Sequence, residues 1–245
     1  LILRMRASKM PEEVDYIRKA ISASEIGFLE ASKIIQEGVT YKEVGKVWAK
    51  TVLDQGAYPG IFIPYDLLTS PEPKGRRVGL KIDRSPIHAE RGTLTRLDML
   101  AIYKGYYSDQ KVTLCVGEPS KEALDVFNDH VDRLNFMIKF IRPGMTKQEV
   151  FNACAAEFDH VEVSNLGRET ERYSWWIHGI GLDMHEEPRV GSLMAHSVNV
   201  DPKITFEKDT VVALEPSWIV EDDYILKENG FERLGTLPFP KIWTF

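Results

Sequence analysis

Gly38-Val39-Thr40-Tyr41-Lys42-Glu43-Val44 returns in the second half of the chain as Gly144-Met145-Thr146-Lys147-Gln148-Glu149-Val150, and the near copy sets the architecture. A Thr followed three residues later by Glu is a capping box. The hydroxyl accepts from the third helical N–H, and the carboxylate accepts from the N–H of the Thr itself. Each copy has a helical stripe before it and another helix after it. Val14, Ile17, Ile21 and Phe28 follow steps of three, four and seven, which puts them on one face of a helix over residues 11 to about 36. Pro11 suits its first position, Glu12 and Glu13 favour its positive end, and Gly38 stops it. Val44, Val47, Trp48 and Val52 lie on the buried side of the helix that follows. In the second unit Leu124, Phe127, Val131, Leu134, Ile138 and Ile141 form the stripe, and Pro143-Gly144 ends it.

Strand patterns follow the helices in both units. In the first, short β-prone pieces at residues 60–65 and 77–82 precede two antiparallel strands, residues 94–107 and 111–116, around the turn signal Lys104-Gly105. In the second, residues 173–184, 210–214, 219–226 and 231–234 are strand-like, with Glu228-Asn229-Gly230 as a tight turn. A helix-helix-strands unit present twice, over about residues 11–118 and 119–245, is an internal repeat within one domain of residues 1–245. The simplest α+β solution is an antiparallel sheet covered by helices, built twice and joined about a pseudo-two-fold. Residues 1–10 are expected as a strand or linker leaving a preceding segment.

Composition narrows the function. The 245 residues are 43% hydrophobic and 28% charged, as in an ordinary globular domain, and the net charge of −6 disfavours a nucleic-acid or anionic-membrane surface. No apolar run reaches membrane-spanning length, so the expected location is the cytoplasm. Cys115 and Cys154 sit among apolar neighbours and are expected as reduced packing thiols.

Chemistry is expected around Trp176-Ile177-His178-Gly179-Ile180-Gly181-Leu182-Asp183-Met184-His185-Glu186-Glu187-Pro188, where two histidines flank a Gly-x-Gly turn. Glycines there would let the backbone approach a bound group, and neutral imidazole is a common metal ligand. Acids stand in strand-like sequence elsewhere. Asp98 ends the strand-like run Leu94-Thr95-Arg96-Leu97, Asp109 lies across the hairpin from it, Glu215 follows Val211-Val212-Ala213-Leu214, and Glu221 follows Ile219-Val220. Burying an unpaired carboxylate costs several kcal/mol, so each needs cations, donors or a metal. Taken singly, Asp109 and Glu221 could be surface charges and Asp98 could pair with Arg96 or Arg91. Taken with His178, the four acids suit two divalent ions. His88, His130, His160 and His196 read as surface or packing residues, and Trp175-Trp176 as packing beside the site.

The order Leu97-Asp98, Gly105-Tyr106-Tyr107-Ser108-Asp109, His178-Gly179-Ile180-Gly181, His185-Glu186-Glu187-Pro188, Leu214-Glu215-Pro216, Glu221-Asp222 and Gly230-Phe231-Glu232-Arg233-Leu234 resembles the creatinase/aminopeptidase P/methionine aminopeptidase family. The opening Met10-Pro11-Glu12-Glu13-Val14 is similar too. The resemblance implies the pita-bread fold, two pseudo-symmetric helix-helix-strand halves around a curved antiparallel sheet. It also implies metal ligands at Asp98, Asp109, His178, Glu215 and Glu221, holding two divalent ions (Mn, Co, Fe or Zn). Glu215 would move the proton, and His185 would meet the substrate as oxyanion stabiliser. The implied activity is that of an Xaa-Pro aminopeptidase or dipeptidase acting on small peptides, in a possible homodimer. The alternatives are a metal-dependent relative acting on a small non-peptide compound, and a non-catalytic peptide-binding module.

Several positions depart from the family. A substrate-side histidine upstream of the first aspartate is missing from residues 77–81, and His88 is too near to replace it. The family's Asp-Ile-Thr-Arg becomes Asp109-Gln110-Lys111-Val112, and Glu-Pro-Gly becomes Glu215-Pro216-Ser217. Those changes bear on the substrate more than on the metal. The segment from Glu215 to Glu221 is also short, so it must either close a tight hairpin that aims both carboxylates at one centre or lack a loop.

Overall fold

The computed structural model describes residues 2–66, 89, 91–92, 94–158, 175–192, 201–217 and 219–245. Helix α1 spans Ile2–Ala7. The strand expected over residues 1–10 is therefore a helix, with one isolated bridge from Ser8 to Thr210 at its end. Helix α2, Pro11–Ser32, buries Val14, Ile17, Ile21 and Phe28 as the stripe requires. It stops short of residue 36 because the amides of Lys33, Ile34 and Ile35 bond three residues back, tightening the last turn.

Helix α3, Tyr41–Asp54, carries the capping box in full. Glu43 N–H donates to Thr40 Oγ1 at 3.2 Å and Thr40 N–H to Glu43 Oε2 at 3.1 Å. The second copy repeats it before α5, Lys147–Phe158, with 3.2 and 2.8 Å between Thr146 and Glu149. Helix α4, Lys121–Phe140, precedes it. Of its stripe Phe127, Leu134 and Ile141 are buried and Val131 and Ile138 partly so, while Leu124 is exposed and Ala123 takes the inward place. The first residue of α3 and of α5 docks on the neighbouring sheet in each half: Tyr41 Oη donates to Thr95 Oγ1 at 3.0 Å, and Lys147 Nζ to Glu187 Oε2 at 3.0 Å.

Two five-stranded sheets result. The first holds β1 (Tyr58–Asp66), β2 (Leu94–Tyr103), β3 (Tyr106–Tyr107), β4 (Gln110–Cys115) and β10 (Ile242–Thr244). Its order is β1-β2-β4-β10, with β3 paired to β2. Lys104 at φ 50° and Gly105 at φ 88° make the two-residue turn between β2 and β3. The second sheet, β6-β5-β7-β8-β9, is built from β5 (Trp176–Gly179), β6 (Glu186–Gly191), β7 (Val211–Glu215), β8 (Asp222–Lys227) and β9 (Gly230–Arg233). An antiparallel bridge between Lys111 and Glu221 links the two.

Three strand expectations change. Strand β10 runs parallel to β4, so the end of the chain completes the first half's sheet and the sheets are not wholly antiparallel. The strand expected over residues 173–184 is short, turning after Gly179. Strand β6, absent from the strands expected from sequence, follows it; Pro188, lacking an N–H, sits where the β5–β6 register shifts. The β-prone residues 77–82 lie outside the described residues. Each sheet covers its own core. Trp48, Phe28, Leu97 and Leu114 are in the first, and Phe206, Trp175, Leu214 and Met137 in the second. Cys115 and Cys154 are buried free thiols within these cores. Among the described residues no helix is long and apolar enough to cross a membrane.

Candidate metal centre

Strand alternation aims the acids at one point between the sheets. Asp98 on β2 pairs in register with Lys111 on β4, and Asp109 precedes Lys111 by two residues, so all three share a face. From the other sheet come His178 on β5, Glu215 at the end of β7 and Glu221 just before β8. Leu214 stands opposite Asp222, so Glu215 and Glu221 leave the last strand pair side by side and both bring a ligand atom to the centre. Oxygens of Asp98, Asp109 and Glu221 lie within 4.8 Å of one another, as do ligand atoms of His178, Glu215 and Glu221. Asp109 and Glu221 are 4% and 1% exposed, which removes the surface-charge alternative.

His178 faces the acids with a lone pair. Its Nδ1 is 3.2 Å from Gly179 O, and a carbonyl only accepts, so the ring proton is on Nδ1. Nε2 then points unprotonated at Glu221 Oε1, 3.4 Å away, and Asp109 Oδ2, 3.7 Å away. His178 Nε2 and Glu221 Oε1 are both buried without a hydrogen-bond partner. Ligand-type atoms gathered in a buried cluster, two of them without a hydrogen-bond partner, fit a cation.

Electrostatics agree. Burial pushes Glu215 up to about 7, helped by Glu221. Burial likewise carries Glu221 to about 7, against the pull of Lys111. Asp109 is driven well above the usual carboxylate range by burial and then by Glu221 and Asp98. His178 falls to about 4 through burial, and His185 to about 4 through burial and the neighbouring His178. Both imidazoles are neutral at neutral pH. His185 is half-buried, its ring 4.7 Å from that of His178 and 4.6 Å from that of Trp176. It also comes within the same 4.8 Å of Asp109 and His178.

Supporting groups hold these residues in place. Asp223 Oδ2 accepts the Asp109 N–H at 2.9 Å, and Asp222 accepts from Gln110 Nε2 at 3.0 Å and Arg233 Nε at 2.6 Å. Arg96, rather than Arg91, sits beside Asp98 at 3.6 Å; Arg91 pairs with Glu37 at 3.3 Å. The glycines serve the sheet instead of a ligand: a Cβ on Gly179 would stand 2.4 Å from Glu187 O, and one on Gly181 2.8 Å from Glu186 Oε2. Glu186 and Glu187 are tethers, the first to Arg6 and Lys9, the second to Lys147.

Residues 15–234 match metallopeptidase family M24. The chain belongs to that family. An uncharacterized peptidase of Bacillus subtilis is 27% identical over 96% of this chain and 64% of that one. The Xaa-Pro dipeptidase of Pyrococcus furiosus is 26% identical over 96% of this chain and 64% of its own length. The chain thus spans just under two thirds of these relatives. The solved X-Pro aminopeptidase of Thermotoga maritima superposes with a TM-score of 0.76 at 26% identity, covering 100% of this chain and 66% of that one. The prolidase of Pyrococcus furiosus gives 0.74 at 23%, covering 97% of this chain and 67% of that one, a likeness of fold. The α+β pita-bread fold of the M24 family is therefore this chain's fold.

One residue of the centre carries no role from sequence pattern alone. Lys111, 4% exposed, ion-pairs with Glu215 Oε1 and, at 2.5 Å, with Glu221 Oε2. Burial lowers its pKa, but Glu215, Glu221 and Asp98 outweigh that and raise it. The signal available in the sequence is its spacing of two from Asp109. The departure from Asp-Ile-Thr-Arg thus falls on the acid cluster as well as on any substrate pocket. Residues 77–81, His88, His160 and His196 lie outside the described residues; His130 is buried in the second half, with burial first lowering its pKa to about 3.

Proposed function

We propose that this protein is a metal-dependent hydrolase that cleaves an amide bond in a small peptide, with Xaa-Pro dipeptides as its substrate class. The convergence of His178 Nε2, Glu221 Oε1 and Asp109 Oδ2 in one buried cluster of ligand-type atoms carries the reading. Asp98, Asp109, His178, Glu215 and Glu221 would hold the metal, and this mixed carboxylate and imidazole set takes Mn, Co, Fe or Zn. When bound, a divalent ion supplies Lewis acidity toward a carbonyl oxygen and toward water.

The side chains of this chain do the rest. Glu215, with a pKa of about 7, takes a proton from water and returns it to the leaving nitrogen. His185, neutral and half-buried at the rim, donates a ring N–H to the carbonyl oxygen as it gains negative charge. Trp176, packed against both histidines, keeps the imidazoles in place and water out of that side. The name of the Pyrococcus furiosus relative supports the Xaa-Pro class.

The test is a screen of Xaa-Pro dipeptides and tripeptides with the protein supplied with Mn, Co, Zn or Fe. Turnover that EDTA abolishes and that Asp109→Asn removes is expected. Turnover indifferent to EDTA, or none with any metal, would sink the proposal.

A further inference from the structure

The expected pair of ions meets a competitor already in the centre. Glu215 and Glu221, which with His178 bring ligand atoms within 4.8 Å of one another, each have a carboxylate oxygen engaged by the Lys111 ammonium. Its strand leaves the side chain little choice. Lys111 is in register with Asp98 on β2, its N–H donates to Glu221 O at 3.1 Å, and its side chain is 3% exposed. The backbone is thus held on both sides, and the alternation that aims Asp109 inward aims Lys111 inward too.

We infer that the Lys111 ammonium takes the place of one of two divalent ions, so that the centre holds a single ion. Of the five candidate ligands, Glu215 would then be held chiefly by the ammonium, and Asp98, Asp109, His178 and the Glu221 oxygen that Lys111 leaves would hold the ion. Charge acts in the same sense: the Lys111 ammonium already supplies a buried positive charge to Glu215 and Glu221 that a second ion would otherwise supply. Distance supports it as well. A divalent ion bonds oxygen at about 2.0 to 2.2 Å, and an ammonium on the same oxygens would face it at close range in a low dielectric. Two oxygens are engaged by Lys111, and two atoms, His178 Nε2 and Glu221 Oε1, are left unpartnered. Those unpartnered atoms face each other across one seat.

This inference rests on the metallohydrolase reading, and one experiment separates the two. The full chain is stripped with EDTA and titrated with Mn2+ by calorimetry. Ions per chain are counted by mass spectrometry after dialysis, and the Mn2+ spin-resonance spectrum is recorded. One ion per chain with the hyperfine pattern of an isolated Mn2+ is expected. Lys111→Thr should bind two and show an exchange-coupled pair; Lys111→Met, which keeps the volume, guards against a variant that fails to fold. Two ions in the wild-type chain would overturn the inference and leave the hydrolase reading standing. No ion would overturn both. One ion in wild type and in folded variants alike would remove Lys111 as the cause.

Discussion

Divalent-ion affinity should fall about tenfold between about pH 8 and about pH 6. Glu221 in the ion-free protein has a pKa of about 7, set by burial against the pull of Lys111. At a pH one unit above that value about nine tenths of the carboxylate is ready to bind. One unit below it about a tenth is, so this residue alone contributes roughly tenfold. Asp109, raised well above its usual range, works in the same direction. Stability carries the same signature. Glu215 and Glu221 have folded pKa values above their ordinary 4.5, so their contribution is fully present below 4.5 and is lost as pH rises through about 7. His178 and His185 run the other way, with a contribution present above 6.5 and lost as pH falls through about 4. The window from about pH 6.5 to 8 therefore reports the carboxylates. There the melting-temperature gap between ion-loaded and EDTA-treated protein should widen as pH rises. Calorimetric titrations of Mn2+ at several pH values, in buffers of differing ionisation enthalpy, measure the affinity and the protons released. An affinity flat across this window, or a gap that narrows with rising pH, would refute the reasoning.

Three further outcomes follow from the packing. Lys147→Ala leaves Glu187 buried with Arg189 as its remaining partner among the described residues, and should cost about 3 kcal/mol, the low end for breaking a buried pair, read as a shift in the urea midpoint. Tyr41→Phe, at the matching position of the first half, removes one neutral hydrogen bond and should cost about 1 kcal/mol in the same assay. Gly179→Ala places a Cβ 2.4 Å from a backbone oxygen that cannot swing aside, so about 3 kcal/mol should be lost in thermal unfolding, and Mn2+ affinity with it, because His178 is the adjacent residue.

The repeat, the capping boxes and the helical stripes were legible because they are local. A box spans four residues, and a stripe is read from steps of three and four. The five candidate ligands were legible one by one, as acids and an imidazole in strand-like sequence where burial would demand a partner. Their roles as a set came from motif order. What stayed hidden depended on distant segments. Strand β10 finds β4 only once the chain end crosses to the first sheet, and β6 forms despite Pro188 because the β5–β6 register shifts around it.

The sequence by itself determined a twice-built α+β chain and which side chains could meet a metal, since periodicity and residue chemistry travel with the local chain. Only the tertiary structure decided what stands among those side chains. Lys111 looks like an ordinary strand lysine until β4 is set against β2 and residue 221, where its ammonium reaches two carboxylates from the other half. A charge buried between two sheets acquires its meaning from both, and no stretch of sequence contains both.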